Sequence, residues 1–121
     1  MLGCFDTKAE DFAYLRSSLL EFGVKVISIN TGVRGSADFP VEFEAEAVAA
    51  ETDMSLGELR ESSDRSLVVE KMGKGAAKII ARLLAEKKID GAIGMGGGGG
   101  TYITLLAMQA IPIGVPKFCL S

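Results

Sequence analysis

The stretch Ile89–Ala110, "IDGAIGMGGGGGTYITLLAMQA", decides the fold. Its first part, "DGAIGM", is an apolar run suited to a strand, five consecutive glycines follow at Gly96–Gly100, and Thr101–Ala110 has the composition of a helix. Glycine costs conformational entropy and adds no side chain to a core, so a run of five needs a return. Either the backbone must turn in a way other residues do not tolerate, or something must approach it closely. Between a strand end and a helix N-terminus, such a run directs several backbone N–H groups toward one point, and the helix dipole adds partial positive charge there. Thr101 is placed to cap that helix or to hydrogen-bond a ligand. The competing explanation is a close strand–helix crossing with no ligand at all.

The motif itself is permissive. G-x-G-x-x-G can be read at Gly94, Gly96 and Gly99, but polyglycine satisfies almost any glycine pattern. The Walker A spacing nearly fits from Gly94 to Thr101, yet Gly100 stands where its lysine belongs, which excludes a P-loop NTPase.

Working outward, strands and helices alternate. Leu2–Phe5 is a short apolar strand. "TKAE", Thr7–Glu10, has the capping-box pattern, and Phe12, Leu15, Leu19 and Phe22 follow at helical spacing up to Gly23, predicting a helix over Lys8–Phe22. "VKVISI", Val24–Ile29, is β-branched and nearly all apolar, as a strand buried on both faces would be. A polar, glycine-rich loop spans Asn30–Pro40, and short helical pieces are expected over Val41–Glu51 and Leu56–Ser62. A longer helix starts at Ser63 or Asp64, with Val68, Met72, Ala76, Ile79, Ile80 and Leu83 as its buried stripe. "GVPKFCLS" supplies a fourth strand. Strands joined through helices imply parallel pairing by right-handed crossovers, hence an α/β, Rossmann-like three-layer sandwich with about four strands in the order 2-1-3-4.

In such sheets ligands lie beyond the carboxyl ends of the strands. Those ends carry "CFDTK", "NTG", "GGGGGT" and Ser121, all small or polar, as a phosphate or carboxylate site requires. Asp6 reads equally as a turn residue or a ligand, Thr7 as a helix cap, Lys8 as a solvated lysine that a nearby anion would explain, and Arg34 as a solvent-facing side chain.

Composition narrows the function classes. The chain has 121 residues, 48% of them hydrophobic, which is one domain with a real core. A net charge of −3 with scattered Lys and Arg argues against nucleic acid as the main partner. No apolar run approaches the length of a membrane span and no signal peptide is recognisable, so a soluble cytoplasmic protein is expected. Cys4 and Cys119 read as buried strand thiols. There is no histidine, which removes Ser-His-Asp and Cys-His nucleophilic sites and the commonest general base.

"GCFDTKAEDFAYLR", "NTGVRGSADFP", "DGAIGMGGGGGT" and "IPIGVPKFCLS", in that order and spacing, resemble the amino-terminal domain of the family named for the tomato mosaic virus resistance protein. That family shows a G-T-x-D-T-K segment, a G-G-S-G-G-T loop and a P-x-G-x-P-K strand followed by S-T. Here Cys4 replaces the usual threonine, and Gly98 replaces the loop serine, removing a hydroxyl. The resemblance implies an ATP-binding Rossmann-like domain of a longer two-domain protein, with homodimers expected. The matching binding positions are Asp6, Thr7 and Lys8, then Gly96, Gly97, Gly98, Gly99, Gly100 and Thr101, then Ser121. No residue is assigned as a metal ligand, although the chemistry of Asp6 allows it to bind Mg²⁺ with help from ATP oxygens and water. The expected function is thus a nucleotide-binding module. The alternatives are part of an ATP-dependent hydrolase or ligase with catalytic groups elsewhere, and a structural dimerisation domain. With no histidine and only Asp6 and Lys8 at the expected site, no acid–base pair is assembled, which favours binding.

Overall fold

The computed structural model describes residues 1–121. Its elements in chain order are β1 (Leu2–Gly3), α1 (Ala9–Glu21), β2 (Ile29–Asn30), α2 (Ala45–Ala49), α3 (Leu56–Glu61), α4 (Arg65–Ala85), β3 (Ala92–Met95), α5 (Gly98–Met108) and β4 (Lys117–Leu120). The sheet is parallel throughout, in the order β2-β1-β3-β4. The expected α/β class, strand number and strand order are all observed.

The alternation of side chains along each strand divides the sheet into two faces. Leu2 and Gly94 point toward the larger helical layer: Leu2 belongs to the main core of 16 buried residues, and a Cβ at Gly94 would lie 2.6 Å from Thr104 Cγ2 on α5. The stripe Met72, Ala76, Ile79, Ile80 and Leu83 of α4 is buried there as its periodicity predicts, with Val68 half-buried. Gly3 points the other way, and the Phe12 ring of α1 occupies the space a Cβ would need. Phe12 stacks in turn against Phe5 (4.8 Å between ring centres), and Phe5 against Phe39 (5.1 Å), a second small core beneath α1. One helix on one face and four on the other make the three layers.

Helices α4 and α5 run side by side in the same sense, since Gly99 lies beside Arg65 and Val69 while Gly73 lies beside Leu106. A Cβ at Gly73 would come within 2.7 Å of Leu106 Cδ2, so the close approach of the two helices depends on that glycine. The consequence is that both helices begin at the same end of the molecule, beyond the carboxyl ends of the strands.

Three expectations need correction. The Thr7–Glu10 capping box does not form: α1 has Lys8 as its N-cap with no side-chain cap, and the N–H groups of Thr7 and Lys8 turn back to Cys4 O at 3.4 and 3.2 Å. The tight turn that follows β1 uses Thr7 before the helix starts. A capping box does form at Ser55 and Glu58 of α3. The second strand is shorter and later than Val24–Ile29, because β1 offers only two ladder residues, and Val24 is left half exposed. The glycine run is not a loop from end to end: α5 starts at Gly98 with Gly97 as N-cap, three residues before Thr101.

Candidate functional site

A cleft of about 500 Å³ opens at the carboxyl ends of the strands. It is built from the turn after β1, the loop after β2, the start of α4 and the start of α5. Of the residues singled out by sequence, Asp6, Thr7, Lys8 and all of Gly96–Gly100 line it. Thr101 and Ser121 do not. Thr101 Oγ1 donates to Gly96 O (2.8 Å) and accepts from Ser121 Oγ (3.0 Å), so the pair fastens the end of β4 to the base of α5 instead of facing the cleft. Ser121 lines an adjoining groove with Lys8 and Gly96.

The glycines divide into two kinds. Gly94 and Gly96 are required by packing: a Cβ on Gly96 would sit 2.6 Å from Gly100 C and 2.7 Å from Thr101 N, inside the first turn of α5. Gly97 and Gly98 would meet nothing within 4 Å, Gly99 nothing nearer than 3.7 Å, and Gly100 nothing nearer than 3.8 Å. None of the five has a positive φ. Sterics do not demand glycine at positions 97–100, and at 98–100 the backbone is helical, yet each of these three glycines weakens the helix by about 1 kcal/mol relative to alanine. The first intrahelical bond is from Thr101 N to Gly97 O (2.9 Å), and the N–H groups ahead of it form the open helix end.

Three cations border the cleft. Lys8 is the N-cap of α1, Arg34 sits in the loop after β2, and Arg65 opens α4 with its guanidinium beside Gly99. None of them takes part in any of the four ion pairs of the chain. Asp6 is the one carboxylate of the lining. Its Oδ2 accepts from Arg34 N (3.2 Å), while its buried Oδ1 has no partner. Gly32 packs so closely against Asp6 that a Cβ there would overlap the carboxylate at 2.2 Å. Beneath the loop, fully buried Asn30 accepts from Phe5 N (3.1 Å) and Gly32 N (2.8 Å) and donates to Gly35 O (2.8 Å), tying both turns to the sheet. Arg60 of α3 braces the same loop by donating to Val33 O. Cys4 Sγ lies 3.6 Å from Thr31 Oγ1, and burial raises its pKa, keeping it a neutral thiol.

The remaining wall is apolar, from Val33, Leu59, Val68, Val69 and Ile103. Sequence reasoning had no reason to include Arg65, because its place depends on the parallel packing of α4 and α5. It also left Arg34 in water, whereas the loop carries it to the cleft. The single legible sign was the cation at the first turn of a helix, where the dipole disfavours it.

An all-parallel α/β sheet with its cleft at the strand ends defines a Rossmann-like domain. The family model described as "Uncharacterised protein family (UPF0261) N-terminal domain" matches residues 1–121. The chain belongs to this family. It is 37% identical over its full length to a UPF0261 protein of Clostridium tetani and 32% identical to one of Rhizobium meliloti, spanning 30% and 29% of those proteins. It is also 28% identical, over 99% of its length, to the ToMV resistance protein Tm-1(GCR237) of Solanum lycopersicum, of which it spans 18%.

Proposed function

We propose that the chain is a nucleotide-binding module that holds the phosphates of ATP against the start of α5. The observation that carries this reading is the set of four glycines, Gly97–Gly100, whose lack of side chains serves no internal contact yet leaves the helix N-terminus bare on a cleft. Backbone N–H groups at such an end bind anions, and the dipole favours negative charge there. Three unpaired cations in a chain of net charge −3 support the same ligand class. The cleft volume lies within the usual range for small-molecule sites, roughly 300–1,000 Å³. Its apolar wall suits a base and sugar, with the glycines at its polar end.

The residues present fit a nucleoside triphosphate. Gly97–Gly100 would hold phosphate oxygens, Arg65 and Lys8 would neutralise them, and the Asp6 carboxylate, the one acidic group of the lining, would share a Mg²⁺ ion already bound by phosphates. Thr101 and Ser121 support the helix base and act through its position. With Asp6 as the one carboxylate of the lining, no histidine in the chain and Cys4 held as a neutral thiol, no paired general acid and base is assembled, which favours binding over turnover. No helix is long and apolar enough to cross a membrane.

Valine at Gly97 or Gly99 has room in the empty cleft and fills the space a phosphate needs. Calorimetry on the chain and on Gly97→Val and Gly99→Val, with ATP and Mg²⁺, should show binding lost at least tenfold while circular dichroism stays unchanged. Equal affinity in all three proteins would remove the glycine turn as the site.

A further inference from the structure

We propose that the α1-side face of β3 and β4 seats one amphipathic α-helix, supplied by the part of the family's longer chains that lies outside these 121 residues. The face is apolar and uncovered. Along β4, Cys119 pairs with Gly94 and packs into the main core, so Phe118 and Leu120 point to the opposite face, next to their partners Ile93 and Met95. There Phe118 is 60% exposed and Leu120 55% exposed, although parallel sheets are ordinarily covered on both faces. Tyr14 of α1, 78% exposed, continues the same surface across a groove whose walls are Tyr14, Leu15, Met95 and Leu120.

The dimensions select the occupant. Helix α1 covers only the β1 side of this face, through Phe12 over Gly3. Two neighbouring strands about 4.8 Å apart present a strip close to the roughly 10 Å diameter of a helix, so the open face over β3 and β4 is one helix wide. Lys8, Asp11 and Ser18 form a polar flank to the groove, which calls for a helix apolar on one stripe and polar at its sides.

The length of the relatives says where such a helix comes from. The bacterial relatives match all of this chain yet it spans only 30% and 29% of them, so most of their length must find surfaces to pack on.

Carbene footprinting read by mass spectrometry tests this on the 121-residue chain alone and on the same chain joined to the remainder of its Clostridium tetani relative, at equal monomer concentration. Labelling of Tyr14, Phe118 and Leu120 should fall at least fivefold in the longer chain, with fully exposed Ile113 as a reference of unchanged chemistry in the shorter one. A photo-crosslinker replacing Phe118 or Tyr14 in the longer chain should then capture residues spaced three and four apart. Equal labelling in both chains overturns the proposal. So does capture without helical spacing, and so does protection in the short chain that grows with concentration alongside a dimer mass, which would make the occupant a second copy.

Discussion

Gly97, Gly98, Gly99 and Gly100 carry no contact that alanine would break, and this sets them against Gly94 and Gly96 just before them. The distinction leads to opposite outcomes for one substitution. Gly98→Ala, Gly99→Ala and Gly100→Ala, each in the helix and each with room for a methyl, should stabilise the fold by roughly 0.5–1 kcal/mol in urea denaturation while weakening ATP binding. Gly96→Ala should destabilise it, because its methyl would enter the first turn of α5. Destabilisation by all four would mean that packing, not a ligand, accounts for the run. From sequence the five glycines are indistinguishable, since the difference lies in what each faces. Asp6 and Lys8 were legible because they directly follow a strand, whereas Arg65, contributed by α4 from a distant part of the chain, was not.

At the level of elements, the long amphipathic pattern of α4 held, whereas α1 forms with only Phe12 of its apolar positions buried and Phe22 exposed beyond its end. The stripe on α4 and the helix ending at Gly23, which has a φ of 79°, were readable because period and stop signal agree. Boundaries set by tertiary contacts were not: α5 begins within the glycines, and the T-x-x-E pattern of α1 yields to the turn at Cys4. Strand β2 is trimmed because its ladder depends on its partner. At that ladder the Met1 amino group donates to Ile27 O (2.9 Å), and burial lowers its pKa from 8.0 to about 6, partly opposed by Glu42. The folded state therefore holds this proton less tightly than the unfolded state. The linkage follows: with a free amine at Met1, stability is full above pH 8, falls as pH drops toward 6, and levels off below, a loss of about 3 kcal/mol. Denaturation midpoints across that window should show the fall, and acetylation of Met1 should flatten it. A rise in stability on acidification would contradict the assignment.

For the whole molecule, the order β2-β1-β3-β4 places the ends of β1 and β3 together at the centre of the sheet, and the parallel run of α4 and α5 brings their starts to the same point. This is why residues far apart in the chain meet at one cleft. It was legible in outline because strand, glycines and helix recur in an order that admits only right-handed crossovers. The uncovered face over β3 and β4 was not legible, as a strand of alternating residues reads the same whether or not its second face has a partner. The central claim is that the backbone at the start of α5 contacts the phosphates of ATP. Amide shifts of the ¹⁵N-labelled chain on titration with ATP and Mg²⁺ measure this directly. The largest shifts are predicted at Gly97–Gly100, with smaller ones at Asp6, Lys8 and Arg65. Unmoved glycine amides, with shifts absent or gathered at the Tyr14–Leu120 groove, would contradict it.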